Sequence, residues 1–116
     1  MGAWGFGIYD NDAALDARDI VEDLVDRGLT YEEAFEAIET IHWILETPPA
    51  VLVLADMQIE NLGRLAGAIG DRVLDVIEGE LELLDRWDEP LERERVLLNF
   101  KRKVEPYYMK FVKGDI

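Results

Sequence analysis

The run from Ala50 to Ala66 constrains the fold most. Val51, Leu52, Val53, Leu54, Ala55, Met57, Ile59, Leu62, Leu65 and Ala66 fill it with few polar breaks. Val51 to Leu54 alone would suit a strand. The continuation is too long for one and is rich in helix formers. A helix that is apolar nearly all round has to be covered on every side. The pattern therefore predicts a central buried helix over 50–68, opened by Thr47-Pro48-Pro49, because proline is tolerated in a helix's first turn. Gly63 weakens this helix locally, and Gly67 and Gly70 end it.

Four more helices follow from apolar spacing. The first covers 11–27, with Ala13, Ala17, Ile20, Val21, Leu24 and Val25 at helical intervals and Gly28 as the residue past its end. The second covers 31–46, opened by a capping box over Thr30-Tyr31-Glu32-Glu33 and buried through Ala34, Ile38, Ile41 and Leu45. Asp71 is placed to cap a helix over 72–87, and Asp88-Glu89-Pro90 opens one over 90–104. Glu105-Pro106 stops or kinks that last helix, and Tyr107, Tyr108, Phe111 and Val112 are placed to add a final turn. The expectation is an all-α domain over 1–116, an irregular bundle of about five helices with short antiparallel connections.

The opening stretch differs in kind. Trp4, Phe6 and Ile8 alternate with Gly5 and Gly7, which suggests an extended segment with one apolar face laid on the bundle. Asp10, Asn11 and Asp12 supply N-cap and first-turn chemistry for the first helix. The pattern MGAWG-x-G-aromatic-DND-x-ALD, carried by Trp4, Gly5, Gly7, Asp10, Asn11, Asp12 and Asp16, resembles the start of the bacterial family catalogued as domain of unknown function 4259. After Asp16 the family usually continues Trp-Leu, where this chain has Ala17-Arg18. The resemblance implies a small helical bacterial domain and no established activity. It leaves open whether Trp4 and Asn11 form a ligand or partner site or a structural plug and cap.

Composition narrows the function. The 116 residues include no cysteine and no serine, and His42 is the one histidine. Disulfides, thiolate metal sites and Cys–His or serine nucleophiles are thereby removed. No apolar run has the length of a membrane span or signal segment, so a cytoplasmic protein without membrane attachment is the expectation. Net charge is −14. Direct nucleic-acid binding is not expected, because it needs phosphate neutralisation by Lys and Arg. Residues 1–60 carry a net −12, against +3 over 91–116.

The acids are ordered. Asp12, Asp16, Asp19, Asp23 and Asp26 line one side of the first helix, and Glu32, Glu36 and Glu39 line the second. Like charges four apart on a helix repel by roughly 0.2–0.5 kcal/mol each. Glu32-Glu33-Ala34-Phe35-Glu36 also reads as E-E-x-x-E, similar to the magnesium motif of helical nucleotide pyrophosphohydrolases. Carboxylate oxygens suit that hard cation. The nearest E-x-x-D, Glu82 to Asp85, is far downstream, and no basic cluster adjoins the acids to hold a triphosphate. Glu39 and His42 have the E-x-x-H spacing of di-iron bundles, but one histidine cannot build a symmetric site. Lys101, Arg102, Lys103, Lys110 and Lys113 form the one basic cluster. It is placed to neutralise acidic helix ends, or helices one and two, within the monomer or across a homodimer.

The expected function is a non-enzymatic protein-binding module, of inhibitor, immunity or antitoxin type. It would present Asp12, Asp16, Asp19, Asp23, Asp26, Glu32, Glu36 and Glu39 to a basic protein. Carboxylate arrays mimic a phosphate backbone and speed encounter with basic clefts. No cofactor, catalytic residue or metal is called for. The alternative is a divalent-metal-dependent pyrophosphohydrolase-like enzyme built on Glu32, Glu33 and Glu36.

Overall fold

A computed structural model of the protein describes residues 12–86 and 90–113, which form helices and no strand. At the centre lies α4, Pro48–Leu62, with every residue from Ala50 to Ile59 buried. Pro48 and Pro49 occupy its first turn, where their missing N–H groups have no helical partner to lose. The helix ends at Gly63 in the left-handed conformation, φ 70°. Ending at a glycine in this conformation avoids the Cβ penalty. The predicted extension to residue 68 is thus cut short, and Gly63 is the terminator rather than a weak point inside the helix.

Around α4 pack α1 (Asp12–Asp26), α2 (Tyr31–Ile38), a single turn α3 (His42–Leu45), α5 (Gly67–Glu82) and α6 (Pro90–Lys113). A 3-10 turn over Leu84–Arg86 follows α5. From α1 it is Ala14, Ala17 and Val21 that are buried, so small side chains let that helix approach α4 closely. Phe35 and Ile38 come in from α2, Ile69, Val73 and Ile77 from α5, and Leu97, Phe100 and Val104 from α6. Full burial of each large side chain stabilises by roughly 1.5–3 kcal/mol.

Other helix limits differ from the sequence reading as well, among them the end of α5 at Glu82 where 87 was expected. The second helix breaks after Ile38. There the Thr40 hydroxyl donates to the Ala37 carbonyl at 2.7 Å and Ile41 turns extended. Hydroxyl side chains offer the backbone this alternative to helix continuation. Gly67 and Gly70, expected to end a helix, lie in the first turn of α5, which begins five residues before the predicted start. The last helix runs through Pro106 to Lys113. Arg102 and Pro106 are on its exposed side, so water can serve the carbonyl that proline leaves without a donor. Trp4, Gly5, Gly7, Asp10 and Asn11, with the extended segment they were read to form, lie outside the described residues.

Candidate functional site

The acidic side of α1 is the complement of its buried one. With Ala14, Ala17 and Val21 turned to α4, the carboxylates of Asp12, Asp16, Asp19, Asp23 and Asp26 are exposed. Arg18 reaches Asp19 at 3.3 Å and Glu22 at 3.8 Å, and Arg27 reaches Asp23 at 3.0 Å. All three pairs are local to α1 and its end; the two spaced i,i+4, Arg18–Glu22 and Arg27–Asp23, are worth roughly 0.3–0.5 kcal/mol each. Among the described residues, Asp12, Asp16 and Asp26 take part in no ion pair.

On α2 the acids have unequal roles. Glu33 completes the predicted capping box: Thr30 N–H donates to its carboxylate at 2.9 Å, and Glu33 N–H donates to the Thr30 hydroxyl at 3.1 Å. Glu32 pairs with Arg64, from the connection between α4 and α5. Glu39, just past the end of α2, accepts from the backbone N–H groups of Ala68 and Ile69 and so caps the N-terminus of α5. Burial raises its pKa above the ordinary carboxylate value, the two backbone bonds oppose this, and Glu36 and Asp71 add repulsion. Glu36 is exposed and in no ion pair among the described residues. Glu32, Glu36 and Glu39 border a cleft of about 200 Å³, with Phe35 and Arg64 also on its wall.

The three acids of the E-E-x-x-E stretch are unequally placed. Two of its three carboxylates have partners inside the chain: Glu33 its own helix cap and Glu32 a guanidinium. No group of three acids or histidines among the described residues is placed to hold a metal ion. The His42 side chain lies outside the described ones.

Sequence reasoning missed Gln58. It is fully buried within α4, and its amide takes both backbone groups of Ala66. Nε2 donates to the carbonyl at 3.2 Å, and Oε1 accepts from the N–H at 3.0 Å. Ala66 is the N-cap of α5 and has no side chain to cap with. Gln58 and Glu39 together therefore position the start of α5. Gly67 sits beneath Glu39 at φ 63°, and a Cβ there would overlap the carboxylate. The signal was present: Gln58 is an amide among the few polar breaks of a mostly apolar run.

The basic cluster of α6 turns elsewhere. Lys101 donates to Glu78 of α5 at 2.5 Å, and Lys103 to Asp56 and Glu60 of α4 at 2.6 Å each. The bond to Glu78 raises the Lys101 pKa. For Lys103, burial pulls the pKa down, but Asp56 and Glu60 outweigh it and the net shift is upward. Lys110 lines a second cleft, about 480 Å³, with Arg64, Tyr107, Phe111 and the backbone of residues 63–67.

Comparison of the chain with protein-family models, curated proteins and solved structures gives no match. No helix among the described residues is long and apolar enough to cross a membrane.

Proposed function

We propose that the chain is a non-enzymatic binding module of inhibitor, immunity or antitoxin type, and that its acidic α1–α2 side engages a basic protein. One observation carries the reading: Lys101 and Lys103 of the basic cluster are held by acids of α4 and α5, while Asp12, Asp16, Asp26 and Glu36 stay exposed and in no ion pair among the described residues. Unpaired aspartates on one helix repel each other, and mixed charges would give solubility at lower cost. A partner with a basic cleft removes that repulsion on binding and is steered to it by the long-range field. The resemblance to domain of unknown function 4259 belongs to the same proposal, as a small helical bacterial domain.

The test neutralises the unpaired acids and keeps their shape, with Asp16→Asn, Asp26→Asn and Glu36→Gln in one chain. Stability should hold or rise. Capture of a basic protein from the host lysate on immobilised chain should weaken and lose much of its salt dependence. Capture equal to that of the unaltered chain at every salt concentration overturns the reading.

A further inference from the structure

The solvent side of α6 carries a pattern that the single chain leaves unused. At 3.6 residues per turn, Glu94, Leu98, Arg102, Glu105, Met109 and Lys113 share one side of the helix. The opposite side holds the buried Arg93, Leu97, Phe100 and Val104. Leu91, Leu98, Met109 and Val112 are 76%, 38%, 55% and 61% exposed, four of the six large exposed apolar side chains among the described residues. Among those residues, Glu94, Arg102, Glu105 and Lys113 are in no ion pair, although Glu105 is near enough to Lys101 to raise its pKa, whereas Arg93 and Lys101 pair with acids of α5 and Lys103 with two acids of α4. Beside the row lies a shallow cleft of about 450 Å³, bordered by Leu74, Pro106, Tyr108 and Met109.

Along the chain the row reads acid, apolar, base, acid, apolar, base, and its spacing is the same from either end. Laid antiparallel against a copy of itself, Glu94 meets Lys113, Leu98 meets Met109 and Arg102 meets Glu105, each pair occurring twice. This is the self-complementarity that a two-fold interface requires.

We propose that a second copy of this chain docks antiparallel on this side of α6, forming a homodimer with Arg102–Glu105 pairs flanking its two-fold axis and Leu98 of each copy packed on Met109 of the other. A copy fits better than other occupants. An acidic helix or an anionic membrane would satisfy Arg102 and Lys113 but oppose Glu94 and Glu105, and a basic partner would do the reverse. The four charges cancel, so this side also escapes the repulsion that a net charge of −14 imposes elsewhere. Since α6 packs chiefly on α5, while α1 and α2 pack on α4, the dimer leaves both acidic sides open.

Analytical ultracentrifugation of the full chain, from micromolar to millimolar, tests this. The unaltered protein should pass from 13.3 kDa towards twice that mass as concentration rises. Arg102→Glu sets Glu against Glu across the axis and Glu105→Arg sets Arg against Arg, so each should weaken dimerisation by at least about tenfold. An equal mixture of the two single variants should dimerise again, since each supplies what the other lacks. The chain carrying both substitutions should dimerise like the unaltered protein, and it decides the matter if a single variant loses its helical circular dichroism. A protein monomeric throughout the range, single variants that associate normally, or failure of both the mixture and the double variant would each overturn the proposal.

Discussion

Gln58 shows how much one side chain can fix. It stands where the core would otherwise take a leucine, and both of its polar atoms hold Ala66. Gln58→Leu keeps the volume, leaves the Ala66 N–H unpaired and leaves its carbonyl with the Gly70 N–H alone. We expect a loss of about 1–3 kcal/mol, read by urea denaturation. Glu39 acts on the same helix start with an opposite electrostatic cost. Its folded pKa lies above the ordinary value of 4.5, so the folded state holds the proton more tightly than the unfolded chain does. Stability from this group is therefore greatest at acid pH and declines as pH rises from 4.5 through the raised folded value. Glu39→Gln should flatten that segment of the profile. The check is the difference in melting temperature between the two proteins across pH 4–7, where the other carboxylates cancel; a difference constant with pH counts against the assignment.

At the level of elements, α6 is the least expected. A proline in a helix interior costs about 3 kcal/mol relative to alanine, yet Pro106 sits well inside a helix of 24 residues. The helix survives because Phe100, Val104, Tyr107 and Phe111 anchor both sides of it to the core. Pro106→Ala should raise stability by about 1–3 kcal/mol, seen as a higher melting temperature with no loss of helical signal. The sequence expectation ran this helix to 104, stopped or kinked at Glu105-Pro106 with a final turn beyond; the helix instead continues unbroken to Lys113, because tertiary packing overrides the local signal. Some ends set by local chemistry were legible, the capping box at Thr30 and Gly28 past α1, as was α4 as the buried centre; the Thr40 break and the Gly63 terminator are equally local and were read through. Ends set by distant contacts were not legible. The start of α5 depends on Gln58, from α4, and Glu39, just past α2, and no nearby residue announces it. Likewise the acids of α1 and α2 could be found from spacing, but their division into paired and unpaired could not, since Arg64 reaches Glu32 from far along the chain while Lys101 and Lys103 turn to α5 and α4 instead.

Across the whole molecule, charge and core are arranged about one axis of organisation, with α4 inside and its partners differing in sign outside. Asp12, Asp16, Asp26 and Glu36, exposed and in no ion pair among the described residues, lie on α1 and α2, and the residues 91–116 of net +3 belong to the far end of the chain. Burial of α4 has a further consequence for motion. Its backbone amides from Val53 to Ile59 lie in a stretch of helix whose residues are all buried, and no single neighbour can lift away and expose all of it. Their exchange with deuterium therefore has to wait for the entire fold to open, while the single turn His42–Leu45 exchanges through fluctuations of its own. Exchange measured residue by residue should give one common opening free energy along α4, equal to the global unfolding value, and far smaller ones along α3. The slowest protons in the protein thus sit in the segment whose apolar run left it no surface to show to water.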